Sequence, residues 1–590
     1  MTKSGLRDRW HARFSPFAAA FALVSACGGK AQQEPPSAPA EPTDIGGETG
    51  GPSTGGRASG GSGGVSSSGG TVAGGVAAGG IAAGGTVVSG TAAGTTSTGG
   101  KPVLGEPVYF KRGSARLSPG LFGRTLERLF DIELDSPLER DALAFIPGID
   151  PKLGASSDAA LVALARSVLD AVSEDQLSSA IGCDDTGSEC RGTFIDEFAG
   201  RAWRRPLDDS EIAALEASFD RPEPDGELAT LRRVTFEVIS SPNAYLLRQM
   251  GSSTDGVHFA LDSHELASLI SYGVAGEPPD AELRGLADDD ALGGAEQRVE
   301  QVERLLSASV ERPTPLEAMI VDWLWIRDAD DLPSFAADPD LARAMLEETG
   351  LLISDLLSRN APIARLLDAD FSFVNAPLAE LYGLDLDIAS GTFERVELGA
   401  TPRRGIFHHA SFLTSSAWGD IPNYARRGGA LAGVLCVVVP REPPNASTPP
   451  PPQGSLMSGR QRYAAAVNDS LCAACHALLD PIGYGFDHFD SAGAYRETDA
   501  GAPIETAGAV PHPELALEFE SSTDLVEGLA TDPRYTSCFL RRSAESWIGT
   551  YGDPAALDYA SRELERGAST RMVDVLEAWV SSDHFEIRVK

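Results

Sequence analysis

The sequence predicts a mainly α protein, a multi-segment helical body behind a long disordered Gly-rich linker. Three observations carry that expectation. From about Val108 onward apolar residues recur at helical spacing, the signature of helices that bury one face. Several of these runs open on a capping residue followed by proline, as at Ser118-Pro119 and Asp338-Pro339, where proline's missing N–H is harmless in the first turn. The helical part is also bounded by segments that cannot pack: a Gly/Ser/Thr/Ala tract from Gly46 to Gly100 and a Pro-rich break from Pro440 to Gly454.

At the N-terminus, Lys3, Arg7, Arg9 and Arg13 precede the apolar stretch Phe14 to Ala26, which ends Val24-Ser25-Ala26-Cys27. A basic region, a short apolar run and small residues before a cysteine form a bacterial lipoprotein signal. Residues 1–26 are thus expected to be a signal peptide and Cys27 the lipidated residue, which places the body outside the cytoplasm, anchored by lipid in the cell envelope (periplasm or cell surface). An ordinary signal peptide with a chance cysteine is the plainer alternative. No later segment has the eighteen or so uncharged apolar residues of a spanning helix, so the tether is the one expected membrane contact.

Residues 27–105 form the expected linker. They run through Glu34-Pro35-Pro36 into the Gly-rich tract, which has almost no charge and no large aromatic. It lacks a strict three-residue period, which argues against a fibre. About 55 such residues span roughly 40 Å on average, enough to hold a folded body clear of a lipid surface.

Three helical segments follow, taken as residues 106–250, 251–439 and 440–590. In the first, Leu121, Phe122, Leu126, Leu129 and Phe130 share a stripe; in the second, Leu341, Met345, Leu352 and Leu356 do. Such stripes are packing faces. The formal charge is -37. The first 26 residues carry four basic and one acidic residue, which leaves about -40 on the remainder. So acidic a chain repels phosphate backbones, and no nucleic-acid partner is expected.

Seven cysteines are present, and export permits stable disulfides. Cys183 and Cys190 flank the turn-rich Asp184-Asp185-Thr186-Gly187 and are expected to bond. Cys436 and Cys538 are paired by parity alone once Cys27, Cys472 and Cys475 are set aside.

The strongest chemical signal is Cys472-Ala473-Ala474-Cys475-His476 followed by Asp480-Pro481. Two thiols three positions apart on one helical turn can add to the two vinyl groups of a haem, and the adjoining imidazole becomes the proximal iron ligand. One haem c on Cys472, Cys475 and His476 is the expectation. A local Cys472–Cys475 disulfide or redox dithiol is the main rival; a structural zinc lacks the second CxxC it would need. Met572, His488 and Met457 are candidates for the distal ligand, with His408 and His409 from the preceding segment, and the sequence does not choose among them. Met572 also lies on a core stripe with Val573, Val575, Leu576 and Trp579, and His488 in an Asp-rich loop. Asp480, Asp487, Asp490 and Glu505 do not match a calcium-loop template, so caps and solvated turns are expected there. Arg204 and Arg205 could face haem propionates, but a structural ion pair is the simpler use. No GxSxG, Walker, HExxH or dinucleotide signature occurs.

Ordered markers run along nearly all of Ser114 to Phe585. They include Arg116-Leu117-Ser118-Pro119, Phe198 through Leu207, Ser241-Pro242, Glu265-Leu266-Ala267, Tyr382-Gly383-Leu384, Arg404-Gly405-Ile406 and Arg427-Gly428. The CxxCH with Asp480-Pro481-Ile482-Gly483, then Phe489-Asp490 and Gly493-Ala494-Tyr495-Arg496, complete them. With these the chain resembles large exported proteins of unknown function, abundant in planctomycetes and myxobacteria, that carry a planctomycete-type cytochrome c region. The resemblance implies a C-terminal c-type cytochrome-like helical region but no settled reaction. Leu269 and Leu479 stand where relatives often carry Arg and Met, and a His often present before Cys472 is missing.

Together these readings lead to an expected cell-envelope c-type haem lipoprotein. It would serve electron transfer with a redox protein or haem-dependent oxidation of an extracellular substrate; whether it is an enzyme stays open. The rival is a haem-free surface lipoprotein acting as a binding or scaffold module for a polysaccharide or protein, its CxxC a structural disulfide.

Overall fold

The computed structural model describes residues 107–134, 154–308, 314–324, 338–389, 391–415, 417, 419–437, 456–467, 470–510, 517–548, 554–567 and 570–590. The signal peptide, Cys27, the Gly-rich linker and the whole Pro-rich break, Pro440 to Gly454, lie outside them. No described helix is long and apolar enough to cross a membrane.

The fold is mainly α, with short strands that fasten segments together. Strand β1 (Phe110–Lys111) leads into β2 (Gly113–Arg116), and helix α1 (Pro119–Phe130) follows. As the sequence predicts, Ser118 caps α1: its hydroxyl accepts from the Leu121 N–H at 3.2 Å, with Pro119 in the first turn. Leu121, Phe122, Leu126, Leu129 and Phe130 are buried. They belong to an N-terminal core drawn from residues 115–247 with Tyr272 and Ala318. Strand β3 (Leu246–Gln249) runs antiparallel to β2 and closes this part. The Cys183–Cys190 disulfide lies within it.

The remainder builds a larger core, from Phe110 and residues 261–585, with two smaller clusters beside it, one around Met345, Leu378 and Tyr382 and one of Ile421, Tyr424, Tyr463 and Val467. The break at Pro440 therefore divides the chain but not the core: Leu346, Phe407, Leu431, Phe486, Leu525 and Leu576 all contribute to it. Helix α2 (Pro339–Ser358) starts as expected at Asp338, whose carboxylate accepts from the Leu341 N–H at 3.1 Å. Strand β4 (Phe371–Val374) pairs antiparallel with Glu394–Glu397, and α3 (Ala376–Tyr382) lies between them in sequence. The Cys436–Cys538 disulfide joins the segment after α4 (Tyr424–Gly433) to helix Pro533–Ile548, across 102 residues of chain. The last strand, Ile587–Val589, pairs parallel with β1, so both ends of the described body meet in one sheet.

Candidate functional site around His476

Three helices frame the CxxCH sequence: α4, α5 (Gly459–Ala466) and α6 (Ser470–Tyr484). Helix α5 begins at Ser458 with a capping box, Ser458 and Gln461 each bonding the other's backbone. Helix α6 carries Cys472, Cys475 and His476 and continues through Pro481. Helices α4 and α6 cross at contact distance because glycines sit at the crossing. A Cβ on Gly428 would collide with the carbonyl oxygen of Leu479, and one on Gly483 with that of Tyr424.

His476 is held from one side. Its Nδ1 lies 3.0 and 3.1 Å from the two carboxylate oxygens of Asp480, one helical turn on. An ionised carboxylate only accepts, so Nδ1 carries the proton and Nε2 the lone pair. No described residue bonds Nε2. The Tyr463 hydroxyl lies 3.3 Å from both Nδ1 and Asp480 Oδ1. It accepts from the Ala425 N–H at 3.1 Å and has Asn423 Oδ1 at 3.4 Å. Asn423 is also the cap of α4, accepting from the Arg426 N–H. Burial raises the Asp480 carboxyl, opposed by its hydrogen bond from His476. Burial likewise raises the Tyr463 phenol.

The loop after α6 is fixed by Arg427, which is fully buried. Its guanidinium donates to four carbonyls: Phe486 at 3.0 Å, Phe489 at 2.8 Å, Leu413 at 2.9 Å and Asp490 at 2.8 Å. Burial brings its pKa down to about 10, so it remains cationic at neutral pH. Tyr424 donates to Asp487 at 2.5 Å, and Arg496 pairs with the same carboxylate at 3.2 Å. Asp490 accepts the N–H groups of Ala492 and Ala494. The acidic residues of this region thus serve separate local partners. Among the described residues no group of three or more His, Cys, Asp or Glu is arranged to hold a metal ion.

Cys475 is half-buried with a free thiol, whereas Cys183, Cys190, Cys436 and Cys538 are joined in two disulfides. Exposed Leu478 follows Cys475 by one turn on α6, and exposed Leu456 and Met457 lie just before α5.

The distal candidates are scattered. Met457 is on the surface ahead of α5, while His488 is in the loop after α6, its Nδ1 2.7 Å from the Arg496 carbonyl and its ring stacked on Tyr495. Met572 is fully buried at the start of helix Met572–Val580, which packs against Ala295–Ala308, Pro339–Ser358, Pro533–Ile548, Pro554–Gly567 and Asp583–Glu586. His408 and His409 do not suit ligation, because both nitrogens of each ring are engaged. His408 bonds the Arg404 carbonyl at 2.6 Å and Ser522 Oγ at 2.8 Å; His409 bonds Thr349 at 3.0 Å and Ser372 at 3.1 Å. Arg204 and Arg205 are structural: Arg204 donates to the carbonyls of Ala202, Asn243, Ala244 and Leu246, and Arg205 pairs with both oxygens of Glu211.

Sequence reasoning missed a second polar cluster, where Glu348 accepts from Ser372 at 2.7 Å and from Tyr382 at 2.5 Å. Arg403 lies over the Tyr382 ring at 3.7 Å and donates to the His408 and Gly493 carbonyls. The Tyr382, Arg404 and Gly493 markers and the candidate His409 were sequence signals near it, but none of them pointed to Glu348.

No curated protein and no solved structure matches the chain. Two family models do: PSD4, described as a protein of unknown function (DUF1592), over residues 261–384, and PSCyt3, described as a protein of unknown function (DUF1588), over residues 403–499. The second spans the whole His476 site, and both are planctomycete cytochrome-type families of unknown function.

Proposed function

We propose that the chain is a cell-envelope c-type haem lipoprotein that moves electrons to or from a partner, or supports haem-dependent oxidation of an extracellular substrate. The observation that carries this reading is the state of the CxxCH helix. His476 has Nδ1 tied to a carboxylate, and no described residue bonds its Nε2, the arrangement of a histidine prepared to ligate a metal. Cys475 beside it keeps a free thiol, whereas Cys183, Cys190, Cys436 and Cys538 are paired. A haem brings its own four nitrogen donors, so a single protein imidazole with two thiols for attachment is a sufficient set.

Cys472 and Cys475 would hold the porphyrin and His476 the iron. The bound group would supply a one-electron couple. The residues around it fix the imidazole through Asp480 and the α4–α6 crossing, while exposed Leu478 offers apolar surface beside Cys475. The lipobox at Cys27 supports lipid anchoring, and the two disulfides support an oxidising compartment. Intact-mass measurement on protein from a host with haem-attachment machinery tests the reading. Wild type is expected to carry one haem and Cys472→Ala/Cys475→Ala none. A wild-type mass without haem, with the two thiols oxidised to each other, would instead favour a binding or scaffold lipoprotein.

A further inference from the structure

His476 has a carboxylate where a neutral backbone carbonyl could equally have served to orient the ring, and that choice has an electronic consequence. We infer that Asp480 is a positioning residue that strengthens His476 as an electron donor and so holds the site at a low reduction potential, with the Tyr463 hydroxyl limiting the effect. The inference rests on the haem reading above and adds to it the direction in which the protein tunes the site.

The geometry assigns each part. Asp480 offers both oxygens to Nδ1 at 3.0 and 3.1 Å, and its side chain is 9% exposed, so water does little to dilute the interaction. A hydrogen bond to an ionised acceptor is roughly twice as strong as one to a neutral acceptor. It moves negative charge onto the ring and raises the basicity of Nε2. A more basic ligand stabilises the oxidised metal, which carries one more positive charge, more than the reduced one. The potential therefore falls.

Tyr463 acts in the opposite sense. Its oxygen accepts from the Ala425 N–H at 3.1 Å, and Asp480 Oδ1 and Asn423 Oδ1 lie within reach of the phenol proton, 3.3 and 3.4 Å away. Donation to Asp480 draws charge off the oxygen that serves His476. Neither residue can drift from this arrangement easily. Asp480 belongs to the helix that Gly428 and Gly483 press against α4, and Tyr463 is fully packed against Tyr424 with ring centroids 5.1 Å apart.

The test is redox titration of haem-loaded wild type, Asp480→Asn and Tyr463→Phe, followed by absorbance. Asparagine keeps an oxygen to orient the ring but removes the charge, and its potential is expected to rise. Phenylalanine removes the competing donor, and its potential is expected to fall. Opposite shifts in the two variants support the inference, since general loosening of the site would move both the same way. Equal potentials in all three proteins, or shifts of the same sign, overturn it and leave the haem reading standing. If Asp480→Asn does not load haem, the Tyr463→Phe shift decides alone. A wild type without covalent haem overturns the haem reading and this inference with it.

Discussion

Gly428 and Gly483 meet across the α4–α6 crossing, each lying against the other helix's backbone. A Cβ on Gly428 would stand 2.8 Å from the Leu479 carbonyl carbon and 3.2 Å from the Gly483 nitrogen. One on Gly483 would stand 2.6 Å from the Tyr424 carbonyl carbon. Backbone cannot yield as a flexible side chain can, so the two helices must separate for either residue to become larger. That separation would pull Asn423 and Tyr463 away from His476 and Asp480.

Gly428→Ala and Gly483→Ala are each expected to destabilise the body by about 3 kcal/mol, at the upper end of overpacking effects. Gly433→Ala is the control, since nothing lies within 4 Å of a Cβ there. Urea unfolding of the three variants checks this; equal stabilities would remove the close crossing from the account.

Arg427 is expected to be irreplaceable by lysine. Four carbonyls converge on its planar guanidinium, and an ammonium has neither the reach nor the fork to serve them together. Leaving buried carbonyls unpaired costs about 1–3 kcal/mol each. Arg427→Lys should therefore lose about 3 kcal/mol or more and expose the loop after α6 to protease; a cleavage pattern like that of wild type would contradict this.

Glu348 gives a pH signature with a definite sign. Burial pushes its carboxyl from 4.5 up to about 7, against the hydrogen bonds from Tyr382 and Ser372. The folded state therefore binds the proton more tightly than the unfolded one. This contribution is fully present below about pH 4.5 and is lost as pH rises through about 7, by roughly 3 kcal/mol in total. His408 and His409, drawn down to about 3 by burial, act oppositely: their folded state favours the neutral ring, so stability rises with pH between about 3 and 6.5. The difference between wild type and Glu348→Gln isolates the glutamate. It should shrink steadily from pH 4.5 to 7; a flat difference would show that Glu348 titrates normally.

The Cys436–Cys538 bond closes a far longer loop than Cys183–Cys190, 102 residues of separation against 7. By chain-entropy reasoning the long loop contributes about 4–5 kcal/mol and the short one about 2–3. Cys436→Ser/Cys538→Ser should accordingly lower the unfolding midpoint more than Cys183→Ser/Cys190→Ser. The reverse order in calorimetry would count against that bond as a principal brace of the larger core.

Local features were the legible ones. The caps at Ser118 and Asp338 and the burial of the apolar residues of α1 and of Met345, Leu352 and Leu356 on α2 follow from residues three or four apart, and the sequence displays that spacing directly, whereas it did not show that both helices are buried on nearly every side. The His476 site was half legible. The CxxCH stands out, and Asp480 lies one turn beyond His476, yet beside Pro481 and ahead of Asp487 and Asp490 it reads as a cap or turn residue. Tyr463 comes from α5 and Asn423 from the cap of α4, which the close crossing at Gly428 and Gly483 holds against α6. No periodicity reveals a contact between glycines 55 positions apart. The Glu348 cluster was hidden for the same reason, since Glu348, Ser372, Tyr382 and His409 come from four separate segments. The shared core across the Pro440 break likewise depends on long-range packing that a change of composition cannot show.

The most direct test of the central claim is a pyridine haemochrome spectrum of the denatured protein, made alongside the haem-attachment machinery and compared with Cys472→Ala/Cys475→Ala. A c-type spectrum that survives denaturation is expected in wild type and is expected to vanish in the variant. A wild-type spectrum without covalently held haem would contradict the claim.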